Sequence, residues 1–479
     1  MKSKFQKGYM IYFDHNYSRF MNNKIFILYI FFVICFFVPS TAYAYLDPGT
    51  GNALIYVALS LLGAVFYFVK GFFYKIIKRK EDGDNKVAAD EVNEVSQHSI
   101  VIFNEGRAYW NTFKPIVEKL LEKKQPFTYY TMDIEDPCLT IANRLMDNRF
   151  IGDGNMAYSK IGHLSADVVL STTPNIGTQG YPIPRSKKIK KLVHVFHAFD
   201  DLATYYKGSL DHYDAVLLMG EFEIPLIRKL EELRKLPEKE LIPAGLPYMD
   251  ELLKKAEQSS GVQLNDKDAK QFSFDNPETI TILLAPSWGA KGFLTAVGID
   301  FIETLAKQNF NLILRPHPQS LKVEKGLLRN VESKLKQYKN LKWDFNPDGT
   351  NSLQEADILI SDVSAVRLDF AFVYQKPFIT IPIKFSEETL KNFEIADLGF
   401  SWTEEAIQEI GYTLKENELE NLGEIINNIL LEKTNENILA FRKKNIYNLG
   451  QSGEVIADYL IQSSHSLKQE EKNTDAKFI

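Results

Sequence analysis

Cysteine is nearly absent: the 479 residues hold two, Cys35 and Cys138. Two thiols cannot build a disulfide framework, and Cys35 falls within an apolar run, so the folded part is expected in a reducing compartment. Neither sign of charge is in large excess. A net charge of -6 and an isoelectric point near 5.9 leave no basic field over the molecule, which excludes nucleic acid as its main partner. The chain has no Walker A pattern and no GxGxxG fingerprint, and Gly152-Asp153-Gly154 is only a turn signal. It has no fixed-period repeat and no low-complexity tract. No His, Cys, Asp or Glu set shows metal-ligand spacing. Asp200 and Asp201 are adjacent with no third ligand in step, so they read as a helix N-cap before Leu202. No metal and no cofactor is expected.

What is present is an ordinary globular balance, 45% hydrophobic and 25% charged, over a length that fits two domains and additional segments. Residues 25–38 form an unbroken apolar run after Lys24 and before the Ala42-Tyr43-Ala44 end. Residues 1–44 therefore read as a signal peptide, with Met21 opening a normal n-region, or as an uncleaved first transmembrane segment. A second run, 53–69, carries no charge, and five cations follow it: Lys70, Lys75, Lys78, Arg79 and Lys80. Residues 45–80 read as a transmembrane helix with its basic end in the cytoplasm. Residues 81–97 are polar and aperiodic, a linker. The expected location is the cell membrane, with everything after Lys80 facing the cytoplasm.

From residue 98 the pattern becomes strand–helix alternation. Strands are expected at 99–103, 127–132, 167–171, 192–196, 215–219 and 240–242, with helices at 109–123 and 222–235. That is one Rossmann-like domain over 98–262. A polar stretch, 258–277, breaks the pattern. A second Rossmann-like domain follows over 278–445, with strands at 279–285, 311–314, 341–345, 357–360 and 378–381 and helices at 294–308, 323–338 and 416–431. Residues 446–479 close the chain with the end of a long helical pattern (436–463, broken near 448–450) and a charged tail from 464 expected to be disordered. The fold class is α/β.

The polar knots at strand ends are where chemistry is expected, because ligands of open parallel sheets bind at the carboxyl ends of strands. Residues 311–318 read NLILRPHP, and 356–370 read ADILISDVSAVRLDF. Arg315 and His317 offer donors suited to a diphosphate, with Pro316 and Pro318 restricting the backbone around them. An ion pair buried at a domain interface is the alternative for Arg315. Ser364, at a strand-to-helix turn, and the helix start after it suit an anion; capping by Asp362 or Ser361 is the alternative. Asp369 recurs seven residues after Asp362, on nearly the same helix face, and pairing with Arg367 or Lys376 is its alternative. His197 stands at the end of strand 192–196, placed to take a proton from a hydroxyl. His194 reads as structural.

These residues resemble the CDP-glycerol glycerophosphotransferases of teichoic-acid-type polymer synthesis, enzymes of cell-envelope polysaccharide assembly. Members show a strand ending in W-H-G and then Leu-Lys, a G-x-P-R-x-D step, an A-P-T-W-R step, an R-P-H-P strand end and a later (T/S)-D-Y-S-S. This chain has Phe196-His197-Ala198, Gly245-Leu246-Pro247-Tyr248-Met249-Asp250, Ala285-Pro286-Ser287-Trp288-Gly289, Arg315-Pro316-His317-Pro318 and Ser361-Asp362-Val363-Ser364-Ala365. Order and spacing agree from about 192 to 383. Ala198, Tyr248, Gly289 and Ala365 depart from the pattern, and Phe199-Asp200-Asp201 stands where Leu-Lys is expected.

The resemblance implies a GT-B-like fold and a membrane-anchored transferase. The donor would be CDP-glycerol or CDP-ribitol in the second domain, and the acceptor a lipid-linked or polysaccharide hydroxyl reaching the site through the first. It implies His197 as general base, His317 and Arg315 on the diphosphate, and Ser364, Asp362 and Ser287 around the donor. Two rivals share the fold: a GT-B glycosyltransferase or sugar-nucleotide enzyme with a UDP or GDP donor, and a non-catalytic binding protein.

Overall fold

The computed structural model describes residues 98–475, apart from 200, 262–277, 290–291, 297, 347, 384–385 and 433. The expected signal peptide or first span, the second span and the linker all lie outside the described residues. Among the described residues no helix is long and apolar enough to cross a membrane.

Two parallel sheets organise the chain. The first contains β1 (His98–Asn104), β2 (Phe127–Thr131), β3 (Met146–Phe150), β4 (Ala166–Ser171), β5 (Ile189–Val195), β6 (Ala215–Leu218) and β7 (Glu240–Pro243), in the order β3-β2-β1-β4-β5-β6-β7. The second contains β8 (Thr281–Ala285), β9 (Asn311–Leu314), β10 (Leu341–Trp343), β11 (Ile358–Ser361), β12 (Phe378–Thr380) and β13 (Tyr412–Thr413), in the order β10-β9-β8-β11-β12-β13. Central strands such as β4 and β8 are buried end to end, as an apolar run covered on both faces must be. In each sheet the order reverses beside its first strand, between β1 and β4 and between β8 and β11. That topological switch point opens a crevice at the strands' carboxyl ends.

Two strands escape the sequence pattern. β3, MDNRF, is a polar edge strand, and β13 has two residues. Edge strands are short and polar because only one side is paired, so they carry little apolar signal. The expected helix over 294–308 is divided into Phe293–Ala296 and Ile299–Ala306, with Gly298 at φ 83 before the second piece.

Helices α1 (Trp110–Glu122), α2 (Gly154–Gly162), α3 (Glu223–Arg234) and α4 (Pro247–Gly261) serve the first sheet. In the second half, α5 (Ile299–Ala306), α6 (Lys325–Leu335), α7 (Val366–Tyr374), α8 (Trp402–Ile410) and α9 (Leu422–Leu431) follow, and α10 (Thr434–Asn445) and α11 (Ser452–Asp475) close the chain. The tail expected to be disordered from 464 is corrected: α11 runs unbroken to Asp475. Ile456, Ala457 and Leu460 on this helix are buried with Phe113, Ile116 and Leu120 of α1, and that packing favours an ordered helix over a free charged tail.

The family-like G-x-P step acts in this closure. Asp250 accepts hydrogen bonds from the N–H groups of Ser452 (3.3 Å) and Gly453 (2.7 Å), which caps the first turn of α11 from a neighbouring helix. Gly245, at φ 82, lies against the Tyr447 carbonyl and the Ser452 hydroxyl, where no Cβ fits.

A shared core joins the two sheets' halves. Phe199 meets Phe372 at 5.1 Å, edge to face, and Phe222 stacks on Trp402 at 3.6 Å. Asp201 caps the turn at Leu202 by accepting from the Ala203 N–H (2.9 Å), as the sequence suggests. It also accepts from the Ser401 hydroxyl (2.7 Å) and the Thr403 N–H (2.8 Å). Arg234 is held by Asp211 (2.7 Å), Asp397 (2.9 Å) and Glu394.

Glu223 begins α3 fully buried, its carboxylate accepting the Met219 N–H at 2.5 Å. Burial pushes its pKa up to about 8, against the pull of the Met219 and Gly220 N–H groups and with a smaller push from Asp201. The folded state therefore keeps a proton that the unfolded chain releases near pH 4.5, and stability falls as pH rises from there to about 8. Glu223→Gln is expected to flatten that dependence, with a gain of at most ~3 kcal/mol at pH 7. Denaturant midpoints at pH 5 and pH 8 check it; equal slopes in both proteins would count against it.

Candidate functional site

The second sheet's switch point is built around one carboxylate. β8 ends at Ala285 and β11 at Ser361, which are paired in register, and the Ser361 hydroxyl donates to the Ala285 carbonyl at 2.5 Å. The next residue, Asp362, is fully buried. It accepts from the Ser287 N–H (3.1 Å), the Ser287 hydroxyl (2.8 Å) and the Phe293 N–H (2.8 Å). Such a set satisfies a buried carboxylate and fixes the loop 286–293 against the end of β11. The oxygens of Asp362, expected among the donor-binding groups, are engaged from the loop after β8. Ser287 is half-buried and orients its hydroxyl proton towards Asp362.

His317 follows β9 and is half-buried. Its Nδ1 accepts the Gln319 N–H at 3.1 Å, so the neutral ring carries its proton on Nε2. Burial lowers its pKa, with Asp362 and Glu324 pulling the other way, so the neutral donor form is favoured. Trp288, half exposed, stands 6.4 Å from the His317 ring at 30°. The Gly289 N–H donates to Glu324 at 2.9 Å, which holds the turn that presents Trp288.

Arg315 differs from expectation. Its guanidinium donates to Asp344 at 2.6 Å and to the Asn346 carbonyl at 2.8 Å, and Gly349 lies against its plane. Asp344 is buried and also takes the Ser352 hydroxyl at 2.8 Å. The pair lies within one sheet's own loops, not at a domain interface. Arg315, expected to face the diphosphate, is anchored through Nη1 by Asp344 and the Asn346 carbonyl.

Ser364 is half-exposed at the entry to α7, with the Val366 N–H 3.4 Å from its hydroxyl oxygen. No side chain forms a regular cap on α7. Of the alternative caps, Ser361 is turned to the end of β8 and Asp362 to the loop after it. Arg367 donates to the Ser364 carbonyl (2.9 Å) and the Thr380 hydroxyl (3.1 Å), and Lys376 to the carbonyls of Gln354 and Ala356. Asp369 hydrogen-bonds Tyr248, the residue standing where the family pattern has arginine.

In the first sheet His197 follows β5 and is half-buried, with the Tyr109 ring edge-on at 4.9 Å and 83°. His194 is sealed among Phe196, Tyr213 and Tyr205 at 4.8, 5.0 and 6.2 Å. Burial, then the nearby His197, lowers its pKa to about 3, and it is neutral and structural. Phe199, two residues beyond His197, packs on Phe372 of α7, the helix that Ser364 introduces. The first sheet's own switch point adds Glu105 after β1, with Tyr158 and Tyr181 half-buried near it. None of these was singled out from sequence, although the Asn104-Glu105-Gly106 turn closing a buried strand was an available signal. Among the described residues no group of three His, Cys, Asp or Glu comes together as a metal site.

No curated protein matches the chain. Among solved structures, the wall teichoic acid polymerase TagF is similar at 15% identity, over 85% of this chain and 98% of that one, with a TM-score of 0.49. UDP-GlcNAc 2-epimerase from Neisseria meningitidis, bound to UDP-GlcNAc, is similar at 12% identity, over 76% of this chain and 99% of that one, with a TM-score of 0.50. The epimerase from Methanocaldococcus jannaschii stands at 15%, 76%, 99% and 0.49. At such identities the likeness concerns the fold, a GT-B-like pair of parallel sheets. The family described as CDP-Glycerol:Poly(glycerophosphate) glycerophosphotransferase matches residues 205–385, which leaves His197 just outside. Four of the five motif steps fall inside that span, and over those residues the chain is similar to the CDP-glycerol glycerophosphotransferases, as a glycerophosphotransferase-like enzyme.

Proposed function

We propose that this protein moves a glycerol-phosphate or ribitol-phosphate unit from a CDP-alditol to a hydroxyl of a lipid-linked or polysaccharide acceptor. The observation that carries this reading is the second sheet's switch-point crevice. There His317, Ser287, Ser364 and the start of α7 gather at the ends of three strands, all inside the region that matches the family.

Each group has a part. The acceptor oxygen attacks the alditol-bearing phosphorus, a new P–O bond forms, and the bond to the CMP oxygen breaks. His197 takes the acceptor proton. The His317 Nε2–H and the N–H groups opening α7 face the charge that collects on the phosphate oxygens and on departing CMP. Arg315, neutralised in part by Asp344, holds the loop behind them. Phosphoryl transfer asks mainly for position and charge stabilisation, which suits a crevice with no nucleophile of its own.

The apolar run at 53–69 and the five cations after it support attachment to the cytoplasmic face of the cell membrane, where a lipid-linked acceptor is concentrated. The test is a donor screen on the full chain. CMP released from CDP-glycerol or CDP-ribitol, dependent on acceptor, is the expected result. UDP or GDP released from a sugar nucleotide would replace this reading with that of a glycosyltransferase.

A further inference from the structure

Two anchors follow His197 within four residues, and both are held by helices of the second half of the chain. Phe199 is buried and meets Phe372 of α7 edge to face at 5.1 Å. Asp201 is buried as well. It accepts the Ser401 hydroxyl at 2.7 Å and the Thr403 N–H at 2.8 Å, and the Ala203 N–H at 2.9 Å completes its set. Ser401 is itself the N-cap of α8, its hydroxyl oxygen accepting the Glu404 N–H at 3.3 Å. Phe222 stacks on Trp402 at 3.6 Å and 7°, so the first sheet's side grips the same helix start a second time.

These helices are tied to the second sheet. Gly411 alone separates α8 from β13, which pairs with β12. α7 opens just after Ser364 and leads into β12. A buried carboxylate with three donors cannot slide without leaving them unpaired, and a ring packed in a dense core resists displacement too. Phe199 and Asp201 also lie in the stretch where the chain departs from the family pattern, with Phe199-Asp200-Asp201 in place of Leu-Lys. The two anchors are therefore this chain's own.

Resting on the reading of His197 as the general base, we infer that Asp201 and Phe199 are positioning residues for its imidazole, and that the second sheet sets where the base stands through α7 and α8. α7 then serves both sides of the reaction, with its first turn beside Ser364 and its Phe372 against the residues that carry His197. A base displaced by about an ångström loses on the order of 10²-fold in rate.

The test uses the full chain in detergent. Steady-state kinetics with CDP-glycerol varied is paired with the NMR signals of the histidine ring Cε1–H groups, in which His197 is identified by the signal that His197→Ala lacks. Asp201→Ala is expected to lower kcat at least about tenfold with donor KM within about twofold, and to move or broaden the His197 signal while the His317 signal stays in place. Asp201→Asn keeps an oxygen acceptor and should recover part of the loss. Ser401→Ala should act in the same direction and add little to Asp201→Ala, because both cut one link. Phe199→Leu, which fills the core without the ring edge, should move the His197 signal as well. An unmoved His197 signal in Asp201→Ala would overturn the inference. So would a fall in kcat matched by an equal rise in donor KM, the mark of a generally loosened interface. A moved His197 signal in a protein that releases no CMP from any CDP-alditol would uphold the placement while removing the transferase reading, so the two fail separately.

Discussion

His197→Ala is expected to lower kcat at least about 10²-fold with donor KM nearly unchanged, the scale on which a positioned general base acts. The separation follows from where the residue stands. His197 sits at the end of β5 in the first sheet, against Tyr109, whereas His317, Ser287 and Ser364 all stand on the second sheet. Removing a proton acceptor on the acceptor side leaves the donor's contacts in place. His317→Ala should behave differently, losing donor affinity as well as rate, because its Nε2–H is assigned to the phosphate itself. Steady-state kinetics with the donor varied, scored by CMP release, separates the two. Full activity in His197→Ala would mean that the acceptor proton leaves by another route.

Asp362→Ala should be the most damaging single change to stability, at about 3–5 kcal/mol. The carboxylate receives two backbone N–H groups and a hydroxyl, all from the loop 286–293, and it is fully buried. Its removal leaves those donors without their acceptor, the buried Phe293 N–H among them. It also strips a compensating charge from Arg367, a buried cation whose pKa burial has lowered to about 10 while Asp362 pulls the other way. Asp362→Asn keeps the shape and some of the acceptor capacity, so it should lose less. Denaturant unfolding with an unchanged slope measures the difference. The same variants should lose donor binding, since the loop that carries Ser287 and Trp288 would no longer be fixed. A wild-type midpoint in Asp362→Ala would show that the loop is held by something else.

The strands were the legible part of this fold. Runs such as 312–314 and 215–218 are apolar along their whole length because both faces of the sheet are covered, and sequence alone locates them. β3 and β13 were hidden by the opposite circumstance, being edges with few side chains to bury. Candidate site residues at strand ends can be named by type and position, but their partners cannot. Asp344 lies twenty-nine residues beyond Arg315, and nothing in the spacing reveals that it neutralises the guanidinium. Asp362 looks like any capping residue until the loop from β8 is seen folded over it. The tyrosines around His197 are scattered over three connections, after β1, in α2 and after β4, and only the strand order brings them to one place.

The closing helix has a further consequence. Because α11 returns to α1, and Lys468 reaches the Ser99 hydroxyl while Lys190 reaches Glu471 at 2.8 Å, the first lobe is discontinuous in sequence. Its last piece is supplied only after the whole second sheet has been made. The lobe of the second sheet is in effect an insertion into that of the first. During synthesis the strip formed by Phe113, Ile116 and Leu120 must therefore wait uncovered until α11 emerges, and the first lobe does not correspond to a contiguous stretch that could be cut out and kept whole.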